Sequence, residues 1–370
     1  MRGPPVFPVV IAAGGTGGHF FPAEALASEL LSRGRRVALM TDARSAGLQS
    51  PAFVGLERFV ISGAGVAGRG ALRAGQAALA LAGGAMQARQ ILARTNAAIV
   101  VGFGGYPSVA PVLATRLLRR RPAVVLHEQN AVLGRANRFL ARHADRLALS
   151  FAATERVPNV RTVVTGNPVR RVIEALATAP YVPPADEIRL LVLGGSLGAR
   201  VFSDIVPAAL AALPDGLLSR VSVVQQCRTE DLERVRAVYD LAGIGAELSA
   251  FFPDVANRLA AAHLVIARAG ASTVAELAVA GRPAILVPLP GAIDDHQSAN
   301  ARALAEARGA SVIAQRDFSP EVLRERLAAL LAEPDMLNHA AAAVRRVACP
   351  DAAARLADLV ESLMRQEARA

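Results

Sequence analysis

One pattern constrains this chain more than any other: an apolar run that breaks into glycine, and it opens both halves. It reads VVIAAGGTGGH over residues 9–19 and LLVLGGSLGA over residues 190–199. A run that is apolar at every position is a strand buried on both faces. Glycines directly after it let the backbone turn at once into a helix and bring N–H groups close to a ligand. The alternation continues along the sequence. Strands are predicted at 6–13, 36–41, 57–62, 97–102, 123–127 and 146–149. In the second half they fall at 189–193, 222–226, 264–267, 284–287 and 311–314, with helical spacing between strands, as at 22–33 and 110–119. Such alternation makes parallel sheets covered on both faces, hence an α/β fold. At roughly 100–200 residues per domain, 370 residues make two Rossmann-like domains.

The expected division is a first domain over 1–167, a linker over 168–187, a second domain over 188–350 and a C-terminal helix over 351–370. The linker is marked by Pro180, Pro183 and Pro184. The last helix is expected to pack back on the first domain. Ligands of open parallel sheets bind beyond the carboxyl ends of the strands, so the expected site lies in the cleft between the domains.

All 41 basic residues are arginine, which excludes a Walker A loop, a pyridoxal Schiff base and any lysine nucleophile. The formal charge of +10 calls for an anionic partner. Aromatic residues are 4% with no tryptophan, which argues against a base-stacking platform and so against nucleic acid. Two cysteines, Cys227 and Cys349, make neither a disulfide framework nor a metal site, and point to a reducing compartment. The N-terminal apolar run leads straight into the glycine turn and reads as a first strand rather than a secretion signal. The uncharged stretch 74–88 falls short of the roughly 18 residues of a membrane span. A soluble, cytoplasmic protein is expected.

Three glycine turns follow predicted strands: Gly14-Gly15-Thr16-Gly17-Gly18-His19, Gly102-Phe103-Gly104-Gly105-Tyr106 and Gly194-Gly195-Ser196-Leu197-Gly198. His127-Glu128-Gln129-Asn130 ends another strand with four polar residues of different hydrogen-bonding character, which suits a polar site. At Arg268-Ala269-Gly270-Ala271-Ser272-Thr273, small residues open a helix, a place that favours phosphate, and Arg268 adds a bidentate cation. Glu276, one turn on, is placed to accept both hydroxyls of a ribose. Asp294-Asp295-His296-Gln297 invites a metal, but no second ligand cluster partners it, so a sugar-contacting loop is favoured and no metal is expected. Gly63-Ala64-Gly65-Val66-Ala67-Gly68 matches a dinucleotide fingerprint, yet no acid follows at the ribose position. From Arg58 to His127 there is no Asp or Glu, and Arg69, Arg73, Arg89 and Arg94 flank the apolar 74–88 stretch. Arginine beside apolar surface suits anionic lipid; a core helix with a solvated rim is the plain alternative.

Taken in order, GGTGGH, GFGGY, HEQN, GNPVR, GGSLGAR, R-x-G-x-x-T-x-x-E and DHQ with NA run across nearly the whole chain. Together they resemble the MurG family, the GlcNAc transferases that convert lipid I to lipid II in peptidoglycan synthesis. The resemblance implies a GT-B fold, two Rossmann-like domains with parallel sheets facing an interdomain cleft. It places the acceptor in the N-terminal domain and the UDP-sugar mainly in the C-terminal one. It implies inverting transfer without metal or cofactor, from UDP-GlcNAc to the 4-hydroxyl of MurNAc on undecaprenyl-pyrophosphoryl-MurNAc-pentapeptide. Carried over by position, donor contacts fall on Thr16, Gly17, Gly18, Asn130, Arg170 and Ser196, and on Phe252 through its backbone. Ala271, Ser272, Thr273, Val274, Ala275 and Glu276 would hold phosphate and ribose, and Gln297 the sugar hydroxyls. Gly104, Gly105 and Tyr106 fall on the acceptor side.

Such a transfer needs a base for the hydroxyl and charge stabilisation for the departing UDP. The helix starts after Gly195 and Gly270, with Arg268, are expected to do the second. For the first, His19 is the leading candidate, with His127 and Glu128 as competitors. The lipid-linked acceptor implies a peripheral protein on the cytoplasmic face of the bacterial inner membrane, held to anionic inner-leaflet lipid through residues 69–94. Two rival readings are an NADP-dependent oxidoreductase using the Gly63 to Gly68 loop and a non-catalytic basic protein of the membrane surface.

Overall fold

Both halves of the chain fold around parallel sheets, as the apolar runs require. The computed structural model describes residues 8–15, 17–43, 51–61, 71–195 and 198–367. Thr16, Ser196 and the Gly63 to Gly68 loop, together with Arg69, lie outside the described residues.

The chain divides into two units, Met1–Arg170 with Asp351–Ala370, and Arg171–Pro350. In the first unit the strands are β1 (Val9–Ala12), β2 (Val37–Thr41), β3 (Glu57–Val60), β4 (Ile99–Gly102), β5 (Ala123–Glu128), β6 (Arg146–Leu149) and β7 (Thr162–Val164). They are ordered β3-β2-β1-β4-β5-β6-β7. Its helices begin with α1 (Gly17–Ser32), α2 (Ala71–Thr95), α3 (Gly105–Thr115) and α4 (Arg135–Leu140). The second unit carries β8 (Ile188–Leu193), β9 (Val221–Gln226), β10 (Gly245–Ser249), β11 (Leu264–Ala267), β12 (Ala284–Leu286) and β13 (Ala310–Val312), ordered β10-β9-β8-β11-β12-β13. Around them lie α5 (Arg171–Glu174), α6 (Arg200–Ala211), α7 (Asp215–Leu218), α8 (Leu232–Leu241) and α9 (Val255–Ala261). Four more follow, α10 (Ala271–Ala280), α11 (His296–Glu306), α12 (Pro320–Ala332) and α13 (Pro334–Arg346). The last helix, α14 (Ala352–Glu367), returns to the first unit.

Successive residues of β1 point to opposite faces and so feed two cores. Val9 and Ile11 pack with α1 and α14 through Phe20, Leu26, Leu30, Leu356 and Val360. Val10 and Ala12 pack with α2, α3 and α4 through Leu92, Val112 and Leu140. In the second unit Leu190 and Val192 join Phe202, Val206 and Leu323.

The topology positions the functional loops. In each sheet the strand order reverses at one point, between β1 and β4 in the first unit and between β8 and β11 in the second. Chains leaving neighbouring strands there cross to opposite faces and open a crevice at the carboxyl ends. The first two glycine turns follow β1 and β4; the third follows β8, and the Arg268 turn follows β11. By contrast, β3 is the outermost strand of its sheet. β3 itself lies two strands from the reversal, whereas a dinucleotide fingerprint belongs after a strand at the reversal.

The structure adds two strands that the pattern does not predict, β7 and β10. Both are edge strands and largely uncovered, so nothing selects a continuous apolar run in them. The helices also begin earlier than predicted. α1 starts at Gly17 and runs through Pro22, and α3 starts at Gly105 rather than near residue 110. Glycine is a poor helix former, so its propensity hides a helix start that the preceding strand imposes. The proline-bearing segment after residue 178 packs on the second unit, where the Tyr181 hydroxyl donates to the His263 carbonyl (2.9 Å).

Candidate active site

In the first unit, β5 delivers His127 and Glu128 to the carboxyl edge of the sheet, and α1 brings His19 beside them. His127 is fully buried, and burial pushes its imidazole down to about 4, so it is neutral. Its Nε2 lies 3.0 Å from the Gly166 carbonyl, and its Nδ1 3.0 Å from Nε2 of Gln129. Nε2 of Gln129 also donates to the His127 carbonyl (3.1 Å). Oε1 of Gln129 then lies 2.9 Å from Nδ1 of His19. His19 is half-buried, and the second glycine turn lies against its ring. A Cβ at Gly104 or at Gly105 would stand 3.6 Å from the imidazole, and both residues have positive φ (81° and 66°). That combination favours glycine at both positions and keeps the approach to the ring open.

Glu128 is buried, and its carboxylate is an organiser of the loop that follows. It accepts from the N–H (3.0 Å) and side-chain amide (3.1 Å) of Asn130, from Gly134 N–H (2.9 Å) and from Nδ2 of Asn137 (2.9 Å). Asn137 also donates to the His127 carbonyl (3.1 Å). This fixes Asn130 at the end of β5. Arg170 stacks on Phe21, with its guanidinium carbon 4.7 Å from the ring centre, which holds it against α1. Tyr106, in the first turn of α3, is about half exposed.

In the second unit the third glycine turn closes tightly: a Cβ at Gly194 would stand 2.3 Å from the Ala199 nitrogen, so only glycine fits. Oε1 of Gln226, at the end of β9, accepts from Gly194 N–H (3.1 Å), while its amide donates to the Ala250 carbonyl (3.1 Å). Two residues on, Phe252 is buried with the Arg258 guanidinium 4.0 Å above its ring.

The turn after β11 is clamped at one peptide unit on each side. Oε1 of Gln297 accepts from the N–H groups of Ala269 (3.2 Å) and Leu289 (3.0 Å), and Nδ2 of the buried Asn300 donates to the Ala269 carbonyl (3.1 Å). Next comes the start of α10, capped by Gly270 with no side-chain hydrogen bond. A helix N-terminus without a side-chain cap presents backbone N–H groups and a partial positive charge to an anion. Ser272, Thr273, Ala275 and Glu276 are the half-exposed residues of this turn, whereas Ala271 and Val274 are buried.

Arg268 departs from expectation. Its side chain is buried and turned back into the protein, with Nη1 donating to the carbonyls of Val287 (3.0 Å) and Pro288 (3.3 Å). Nη2 donates to Oε1 of Gln315 (2.6 Å). A guanidinium committed to three acceptors and stacked toward Phe202 braces β11 against β12 rather than forking onto a phosphate. Asp294 and Asp295 form the left-handed turn before α11, and Oδ1 of Asp295 takes the Ser298 hydroxyl (2.8 Å), which sets the entry of Gln297 into the helix.

Models of the glycosyltransferase family 28 N-terminal and C-terminal domains match residues 9–149 and 189–356. The UDP-N-acetylglucosamine–N-acetylmuramyl-(pentapeptide) pyrophosphoryl-undecaprenol N-acetylglucosamine transferase of Granulibacter bethesdensis is 62% identical over 357 residues, 96% of this chain and 93% of that protein. The protein of the same name from Acidiphilium cryptum is 56% identical over 370 residues and covers 100% of both chains. The crystal structure of Acinetobacter baumannii MurG matches with a TM-score of 0.79 at 31% identity, over 96% of this chain and 99% of that one. The chain belongs to the MurG family.

For a MurG-family chain, the residues singled out by sequence fall into two groups. Gly17, Gly18, His19, Gly104, Gly105, Tyr106, His127, Glu128, Asn130 and Arg170 gather at the carboxyl edge of the first sheet. Gly195, Phe252, Ala271 to Glu276 and Gln297 gather at that of the second. The structure also brings forward Gln129, Asn137, Gln226 and Asn300, to which sequence reasoning gives no role. Gln129 and Asn300 sit inside motifs already quoted, HEQN and NA, but what each binds is set only by the fold. Gln226 carries a weaker signal: an apolar strand that ends in two glutamines.

Proposed function

We propose that this chain transfers GlcNAc from UDP-GlcNAc to the 4-hydroxyl of MurNAc in undecaprenyl-pyrophosphoryl-MurNAc-pentapeptide, converting lipid I to lipid II in peptidoglycan synthesis. The near-full-length identity to transferases of that name carries the reading. In the reaction His19 takes the acceptor hydroxyl proton on Nε2 as the oxygen attacks the anomeric carbon. The bond from that carbon to the UDP oxygen breaks with inversion, and its electron pair leaves on the diphosphate. The uncapped start of α10 stabilises that charge, with Glu276 on the ribose and the Gln297 amide on the sugar. Two observations support His19 over its competitors: both nitrogens of buried His127 are hydrogen-bonded, and the Glu128 carboxylate is spent on Asn130, Gly134 and Asn137 in the loop and helix that follow it.

The acceptor's lipid tail puts the working protein on the cytoplasmic face of the inner membrane. Among the described residues no helix is long and apolar enough to cross a membrane, which supports peripheral attachment. The face built by α2, α3 and α4 exposes Leu79, Met86, Leu117 and Phe139. Arg89, Arg94, Arg116, Arg119 and Arg142 are exposed on the same three helices and the turns that end them. This pairing of apolar and cationic side chains supports docking on anionic lipid, over a wider area than residues 69–94 alone.

The test is transfer itself, using purified chain, radiolabelled UDP-GlcNAc and a lipid I analogue, alongside calorimetric titration with UDP and with NADP. Label transferred to the acceptor, UDP bound and NADP not bound is the expected result. A folded protein that binds neither nucleotide and transfers nothing overturns the reading, as does binding of NADP alone, which restores the oxidoreductase.

A further inference from the structure

The hydrogen bonds that run from Gly166 to His19 admit only one arrangement of protons. The Gly166 carbonyl can only accept, so Nε2 of His127 must carry a proton to donate to it. His127 is neutral and fully buried, so its Nδ1 bears the lone pair and must accept. The group facing that lone pair is therefore the NH2 of Gln129, and the same NH2 reaches a second acceptor-only group, the His127 carbonyl. Two fixed acceptors thus set the amide's orientation and aim its oxygen at His19. An amide oxygen can only accept, so the His19 nitrogen 2.9 Å away, Nδ1, must hold the proton. A neutral His19 then carries its lone pair on Nε2. That atom makes no hydrogen bond among the described residues and lies on the side of the second glycine turn.

We propose that Gln129 is a positioning residue for the transfer: anchored by His127 and the Gly166 carbonyl, it locks His19 in the Nδ1–H tautomer and leaves Nε2 as the base. The proposal rests on the reading of His19 as the base. Gln129 does not touch the reacting atoms. It acts by removing the other tautomer, in which Nε2 would be protonated and unable to take the hydroxyl proton.

The experiment joins spectroscopy to kinetics. Nitrogen-15 NMR of histidine-labelled protein distinguishes the two tautomers, and the His19 signals are assigned by their loss in His19→Gln. In the unaltered protein, at a pH where His19 is neutral, the Nδ1–H form is expected. Gln129→Leu should shift His19 toward the Nε2–H form. Its kcat should fall on the order of tenfold or more, but by no more than the 10²–10⁴ that a general base supplies in full. Its KM for UDP-GlcNAc should stay within about twofold, because the lost contact does not bind donor. Finding the Nε2–H tautomer in the unaltered protein overturns the proposal, even if Gln129→Leu does not fold. An unchanged kcat and tautomer in folded Gln129→Leu overturns it too, while leaving His19 as base. Separately, His19→Ala that keeps full kcat overturns the base assignment itself.

Discussion

Glu276 lies one turn into α10 at its half-exposed face, where a ribose diol would find two acceptor oxygens. Glu276→Ala should raise the KM for UDP-GlcNAc by an amount worth about 1.5–3 kcal/mol, as for hydrogen bonds to a charged group. A folded variant with an unaltered donor KM removes the residue from the ribose. Buried histidines give the second prediction at this scale. Burial holds His127 and His263 down to about 4, so both are neutral in the native protein at pH 6, whereas an unfolded chain protonates them near 6.5. Between those values the unfolded state binds more protons, so stability rises with pH and falls on acidification from 6.5, levelling off below 4. Each histidine contributes a loss on the order of 2–3 kcal/mol across that window. In His263→Asn the new side-chain oxygen can still accept the Arg189 N–H that Nδ1 takes now (3.0 Å). That variant should show a shallower decline of the unfolding midpoint between pH 6.5 and 4.5. An identical decline assigns the acid lability elsewhere. Sequence located the polar cluster at His127 to Asn130 and the turn at Arg268, because residue type and position after a strand are written in the chain. It offered capping of the following helix as the alternative role of that cluster, but did not reveal that Arg268 faces inward or which groups the Glu128 carboxylate takes. Those outcomes depend on which carbonyls lie within reach, and these come from strands far apart in sequence.

Among the elements, the strands buried on both faces were legible, whereas of the four edge strands β3 and β13 were legible and β7 and β10 were not. β1, β4, β5, β8 and β11 read as unbroken or nearly unbroken apolar runs since helices cover both sides. β7 carries TVV with all three residues exposed, and β10 carries GAELS, so neither offers a period to detect. Helix α2 was legible as apolar yet ambiguous in purpose. Its inner side meets the sheet through Ala88 and Leu92, while Leu79 is 75% exposed. An apolar residue on its open side with arginines along it is what the proposed docking on anionic lipid rests on. The variant Arg89, Arg94, Arg116 and Arg119→Gln should bind anionic vesicles more weakly. At about 1 kcal/mol per arginine near the surface the loss is large, and added salt should weaken the parent protein in the same way. UDP binding should be retained. Vesicle flotation that is indifferent both to these substitutions and to salt leaves the arginines as a solvated rim.

On the scale of the molecule, the chain enters its first unit twice. Residues after 350 return to it as α14, which seats Leu356, Ala357, Val360 and Leu363 against α1. The return is fastened by ion pairs, Arg33 with Asp358 (2.6 Å) and Glu361 (3.3 Å), and Arg35 with Glu361 (2.6 Å). A chain ending at residue 350 would leave Phe20, Leu26 and Leu30 without that cover, and should aggregate or melt well below the full chain in calorimetry. A truncated chain with the full-length transition temperature would mean that α14 adds no stability. The discontinuity also has a history in time. On a ribosome the second unit is complete while the first still awaits its last helix. At roughly 5–20 residues per second, making residues 171–370 after the body of the first unit has emerged takes on the order of 10–40 seconds. For that interval the apolar seam of α1 is open to whatever attends the emerging chain. The enzyme's N-terminal half thus matures only once α14 is made, and a ribosome stalled before α14 holds a finished second unit joined to an unfinished first one.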